Sequence, residues 1–298
     1  MRFSFWISSH LGWDEVVAQA RHAEGTGWDG LYVADHFMPN DDDAVDQPMH
    51  ECFSLLAGLA VAVPRVRLGS LVASATYRHP AVLAKQAVSI DHISDGRMVL
   101  GVGAGWQENE HRRFGIELGT VSQRLDRFEE GCRVWRALRD QPRATVAGRF
   151  VQLDDAPLQP KPVGPLPLLI GSSGQHRMAR IVARYADEWN TWSTPELWRT
   201  KREGYDRALD DLGRDPASLH RSTQALVVLG EDGRARAEEL APIRPAIGGT
   251  SEQLVETISR WASQGLDELI VPGFTLGSGA RATDALDQLI TEVAPALR

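Results

Sequence analysis

Asp35 and His36 stand side by side where the apolar run Leu31-Tyr32-Val33-Ala34 stops, in the stretch "GLYVADHF". A carboxylate next to an imidazole suits proton transfer, because a free imidazole titrates near pH ~6.5. The ordinary alternative is a strand-end histidine that makes a structural hydrogen bond. A second group is the glycine-rich "GVGAGWQENEHRRFG", Gly101 to Gly115. Its GxGxG spacing is not the dinucleotide fingerprint, and three βα units precede it. Two readings stand together here: tight backbone packing at a rim, or Gly103 and Gly105 letting the backbone approach a planar ring with Asn109 beside it. A third group is "LLIGSSGQHRMARIVARYAD", where a strand ends in Gly171-Ser172-Ser173-Gly174 and runs into a helix. Free backbone N–H groups and a positive helix end would converge there on a phosphate. Arg177, Arg180 and Arg184 share one face of that helix, and Arg184 reads as a solvated side chain. His79, beside the helix-opening Pro80, reads as a cap. "ENEH", Glu108–His111, has metal-binding residue types but neither HExxH spacing nor a helix to present it, so no metal is expected. No GxSxG elbow or cysteine nucleophile stands out.

These groups need elements to hold them. Short apolar runs alternate with stretches of helical period: "FSFWIS", "GLYVAD", "VRLGSLVAS", "RMVLGVGAG", "PLLIG", "EWNTWS", "QALVVL" and "ELIVPGF" read as strands. "ATVAGRFVQLDD" reads as a small hairpin, and "APIRPAIGGTSEQ" as a mobile loop. About eight βα units predict an α/β fold, a (β/α)8 TIM barrel formed by residues 1–298 as a single domain. A doubly wound open sheet is the rival, and it usually needs fewer strands. In such a barrel the ligand site lies where strands end, which is where Asp35-His36, Gly103 and Gly171 fall.

The net charge of −8 argues against a nucleic-acid surface, which would need basic residues to neutralise phosphates. Cys52 and Cys132 are isolated, so neither a disulfide framework nor a cysteine metal site is expected, and the cytoplasm is the natural compartment. No signal peptide or membrane-spanning run is read; Cys52 to Pro64 is too short to cross a bilayer.

The blocks "GWDGLYVADHF", "RLGSLVASATYRHPAVLAKQAVSIDHISDGRMVLGVGAGWQENEHRRFG", "LLIGSSGQHRMARIVARYADEWN" and "GTSEQLVETISRWASQGLDELIV" together resemble the luciferase-like monooxygenase superfamily, within it the coenzyme F420-dependent oxidoreductases. The resemblance implies a barrel with the deazaflavin ring at its C-terminal mouth, Asp35 touching the ring and His36 in the active site. It implies a non-prolyl cis peptide near Leu71-Val72 behind the ring, ring-edge and tail contacts at Ala104, Gly105 and Asn109, and a phosphate turn at Ile170, Gly171, Ser172, Ser173 and Gly174. Relatives with the sugar-phosphate activity carry a glutamate where this chain has Trp106 and a tryptophan where it has Asn40. A more apolar pocket lined by Trp106 and Trp192 is therefore expected, and glucose-6-phosphate is not an expected substrate. The expected activity is hydride transfer between coenzyme F420 and a small-molecule substrate, with His36 moving the proton. An FMN monooxygenase using reduced flavin and dioxygen is the alternative, and a non-catalytic binding barrel the more distant one. Relatives are commonly homodimers, and the apolar "ECFSLLAGLAVAVP" helix could contribute to such an interface.

Overall fold

The computed structural model describes residues 1–173 and 176–298. A ring of parallel strands runs β1 (Arg2–Ile7), β2 (Gly30–Val33), β3 (Arg67–Ser70), β4 (Met98–Gly103), β5 (Leu168–Gly171), β6 (Glu188–Trp192), β7 (His220–Gln224) and β8 (Glu268–Pro272). Ala73–Ser74 continues β3 past the Leu71–Val72 peptide, which is cis as the resemblance implied. β1 pairs with both β2 and β8, and β3 pairs with β4, so the sheet closes into a barrel. A helix follows each strand on the way to the next.

Alternation along the strands sorts the two cores. Phe3, Phe5 and Ile7 of β1 and Leu269 and Val271 of β8 face the surrounding helices. Trp6, Tyr32, Val99, Leu169 and Ile270 point inward and form an apolar plug inside the barrel with Leu71. Nearer the strand starts the interior is polar: Ser4, Arg67, Glu188 and Glu268 interlock there.

The helix ends follow from local chemistry. Gly27 takes φ +99 to close Trp13–Thr26, and Thr120–Gln123 and Thr250–Gln253 form capping boxes. His79 caps Pro80–Ile93 by accepting from the Ala81 N–H, as its position beside proline predicts. Ala144–Ala147 and Gln152–Ala156 form the expected antiparallel hairpin. Among the described residues, no helix is long and apolar enough to cross a membrane.

Two expectations are corrected. The barrel strand before the last unit is the polar His220–Gln224, not the apolar "QALVVL". Leu226–Leu229 instead pairs in parallel with Ala246–Gly249, with helix Gly233–Leu240 between them. "APIRPAIGGTSEQ" is thus no simple loop: it holds the second of these strands and the start of helix Ser251–Ala262. This excursion leaves from the C-terminal end of β7, at the face where ligands bind in such barrels.

Candidate active site at the barrel mouth

Asp35 and His36 leave β2 in an extended segment, so their side chains diverge. Asp35 is buried and accepts a two-pronged ion pair from Arg78 at 2.7 and 2.9 Å, and the Ser74 N–H at 2.9 Å. The same Arg78 reaches Glu51, the cap of helix Cys52–Ala62. Both Asp35 oxygens therefore help to hold the loop after β3 in place.

His36 takes the other direction. Its Nδ1 lies 2.8 Å from Glu110 Oε1; the histidine side chain is 24% exposed and that of Glu110 is 0% exposed. Glu110 also accepts the Phe37 N–H at 2.8 Å and the Tyr77 hydroxyl. Burial opposes its ionisation, but the His36, Tyr77 and Phe37 hydrogen bonds outweigh burial and hold its carboxyl below the usual carboxylate range. An ionised Glu110 accepts only, so Nδ1 carries the proton and Nε2 of a neutral ring presents its lone pair. Among the described residues Nε2 has no hydrogen-bond partner. Trp106 stands edge-on to the imidazole, ring centroids 5.6 Å apart.

Glu110 was not singled out as a partner of His36 by the sequence. It sits on helix Glu108–Phe114, so "ENEH" does have a helix to present it, contrary to expectation. Asn109, expected at the ring edge, is occupied elsewhere. Its amide donates to the Pro39 and Asn40 carbonyls and its Oδ1 accepts the Glu110 N–H. With Gln107, which donates to the Met38 carbonyl, it pins the loop after β2.

Val72 and two glycines shape the mouth. A Cβ on Gly103 would meet Val72 Cγ2 at 2.8 Å, and one on Gly171 would meet both Val72 methyls at 2.9 Å. These glycines admit the Val72 side chain, which rests half-buried on the inner plug while Leu71 is part of it. At Gly103 the structure shows tight packing against Val72. Gly105 is required differently: its φ is +87, and a Cβ would meet Ser74 Oγ at 2.8 Å. Ala104, half-buried, packs toward the outer core.

The expected phosphate turn is less open than its sequence suggests. Ile170 is buried against the helices, the Ser172 N–H is taken by the Asn190 carbonyl at 2.9 Å, and Ser172 Oγ meets the Tyr205 hydroxyl. Ser173 is exposed, and Gly174 lies outside the described residues. Arg177 pairs with Asp126 and Glu129, and Arg184 lies 3.6 Å from Glu129, so both guanidinium groups already face carboxylates.

Trp106 and Trp192, expected in one pocket, are brought together by a residue the sequence did not flag. The Arg244 guanidinium lies 5.8 Å from the Trp106 ring and 5.7 Å from that of Trp192. Trp192 in turn packs on Trp6 of the inner plug at 5.8 Å, and Phe274 closes on Trp6 at 5.0 Å.

The sequence profile of a family described as luciferase-like monooxygenase matches residues 1–292. An F420-dependent hydroxymycolic acid dehydrogenase of Mycobacterium tuberculosis is 26% identical over 287 residues, 91% of this chain and 77% of that protein. An F420-dependent glucose-6-phosphate dehydrogenase of Microbacterium testaceum is 31% identical over 219 residues, 72% of this chain but only 64% of the relative's length. Among solved structures, an F420-dependent secondary alcohol dehydrogenase in complex with an F420-acetone adduct superposes with a TM-score of 0.85 over 100% of both chains at 21% identity, a likeness of fold.

Proposed function

The chain belongs to the luciferase-like monooxygenase family, and we propose that it is a coenzyme F420-dependent oxidoreductase moving a hydride between the deazaflavin and a small organic substrate. The F420-dependent dehydrogenases among its relatives support the cofactor. The observation that carries the reading is His36, anchored through Nδ1 on the buried Glu110 at a strand end, with Nε2 left for a ligand.

We assign the flat ring of the cofactor to the mouth. Val72 forms an apolar shelf between the bare faces of Gly103 and Gly171, on top of the inner plug. Ala104 and Gly105 flank that shelf along the chain, and the segment Gly171-Ser172-Ser173 that leaves β5 is the place we assign to the cofactor's phosphate. Leu71 supports the shelf from below, as part of the plug.

When bound, the deazaflavin supplies the two-electron donor or acceptor, a role no side chain fills. The chain handles the proton. As hydride leaves a substrate carbon, Nε2 of His36 takes the proton from the attached oxygen or nitrogen; in the reverse direction the imidazolium returns it. Glu110 fixes the ring's orientation and tautomer and stabilises the imidazolium that forms. Trp106 and Trp192 line the approach. The resemblance implies a glutamate at the Trp106 position in relatives with the sugar-phosphate activity; with an indole there instead, we assign the proton to His36 and expect a substrate other than glucose-6-phosphate.

Titrating the purified protein with coenzyme F420 and, separately, with FMN, followed by absorbance and fluorescence, tests the cofactor. Micromolar binding of F420 is expected. Binding of FMN with none of F420 would replace this reading by a monooxygenase using reduced flavin and dioxygen.

A further inference from the structure

Arg244 is a feature of the mouth that the hydride chemistry leaves unused. It lies in the turn between helix Gly233–Leu240 and strand Ala246–Gly249, in the excursion after β7. The excursion brings it to two indoles supplied by other elements, Trp106 after β4 and Trp192 at the end of β6. Its Nη1 donates to the neighbouring Ile243 carbonyl at 3.2 Å, and it makes no ion pair among the described residues. An indole face holds a guanidinium in place without cancelling its charge. The rim around it is apolar: Trp106 is 50% exposed, Phe274 52% and Ile243 66%.

The charge complement of a cation in an apolar, aromatic rim is an anion on an apolar body. The guanidinium fork matches a carboxylate in two parallel hydrogen bonds. The chain's net charge of −8 makes a local cation the more necessary for drawing such a ligand in. We propose that Arg244 selects the substrate: the mouth takes an organic anion whose apolar part lies on Trp106 and Trp192 and whose carboxylate pairs with Arg244. This rests on the mouth being the substrate entrance, as in the function proposed for the chain, but not on which cofactor serves it.

Ligand-observed NMR titration of the purified chain with 3-phenylpropanoate and its neutral isostere 3-phenylpropanamide tests the proposal. The carboxylate should bind about five- to tenfold more tightly at low salt, a margin that narrows as salt rises. In Arg244→Gln the margin should vanish through weaker binding of the carboxylate alone. Equal affinities in the unaltered protein, no binding of either probe, or a margin retained in Arg244→Gln would overturn it. Titrating the same variant with coenzyme F420 separates the substrate from the cofactor as the source of the anion. Unchanged cofactor affinity supports the substrate role, and weakened affinity overturns it by giving Arg244 to the cofactor. If the unaltered protein binds no F420, the proposed hydride-transfer function fails while the probe comparison still stands.

Discussion

A histidine exchanges protons in a defined sense only when something else fixes which nitrogen holds the proton. Glu110 does this for His36, and its buried carboxylate is itself secured by Tyr77 and the Phe37 N–H. Glu110→Gln keeps the size and one acceptor but loses the charge that opposes a developing imidazolium. We expect turnover to fall by ~10²-fold with cofactor affinity within about twofold of the original. His36→Ala should show the same split, measured by steady-state kinetics beside the F420 titration. A loss confined to cofactor binding would sink the proton-transfer role for both residues. The sequence shows Asp35 and His36 as a pair, and the fold divides them. Neighbours on an extended segment point to opposite sides, so Asp35 turns to Arg78 and His36 turns to a residue 74 positions along the chain. The adjacency was legible; the partnership, made through the barrel, was not.

Among the elements, the unit to disturb is the shelf built by β3, β4 and β5. Val72 occupies space that Gly103 and Gly171 leave open, so the three positions form one packing problem. Gly103→Ala forces its new methyl into Val72 and should destabilise the fold by ~1–3 kcal/mol. Val72→Ala alone opens a small cavity, but in the double variant it should give back most of that loss. A chemical-denaturation cycle measures this coupling, and strictly additive effects would separate Val72 from the glycine. Elements with apolar periodicity were legible: every strand from β1 to β6, the last strand and the hairpin fall where the pattern places them. β7 was not, because "HRSTQ" is polar along its length, and Ser222 and Thr223 spend their hydroxyls on hydrogen bonds to β6. The apolar run beside it, Leu226–Leu229, imitated a barrel strand and belongs to the excursion that carries Arg244. That arginine's place over two tryptophans depends on a loop path that local pattern does not encode.

For the molecule as a whole, the interior of the barrel divides into an aromatic and aliphatic upper part under the site and a charged lower part at the strand starts. The lower part ties strands from around the ring: Glu268 on β8 accepts from Ser4 on β1, from Arg67 on β3 at 3.2 Å and from His220 on β7 at 2.9 Å. Arg67 also pairs with Glu188 on β6. Burial alone would push the Glu268 carboxyl upward, but His220, Arg67 and Ser4 outweigh it and hold the group at about 2, against an ordinary 4.5. The carboxylate's pKa is lower in the folded than in the unfolded chain, so its contribution is fully present above pH ~4.5. It is lost as pH falls through the folded value, and amounts to on the order of 3 kcal/mol. Urea unfolding at a series of pH values should therefore show stability falling between ~4.5 and ~2. In Glu268→Gln the protein should begin less stable by ~3–5 kcal/mol, because Arg67 and His220 lose their shared anion inside the barrel. The same variant should lose much of the acid dependence in that window, since the titrating group is gone. An undiminished acid slope in the variant would assign the dependence to other carboxylates and remove Glu268 as the group through which pH acts on barrel closure.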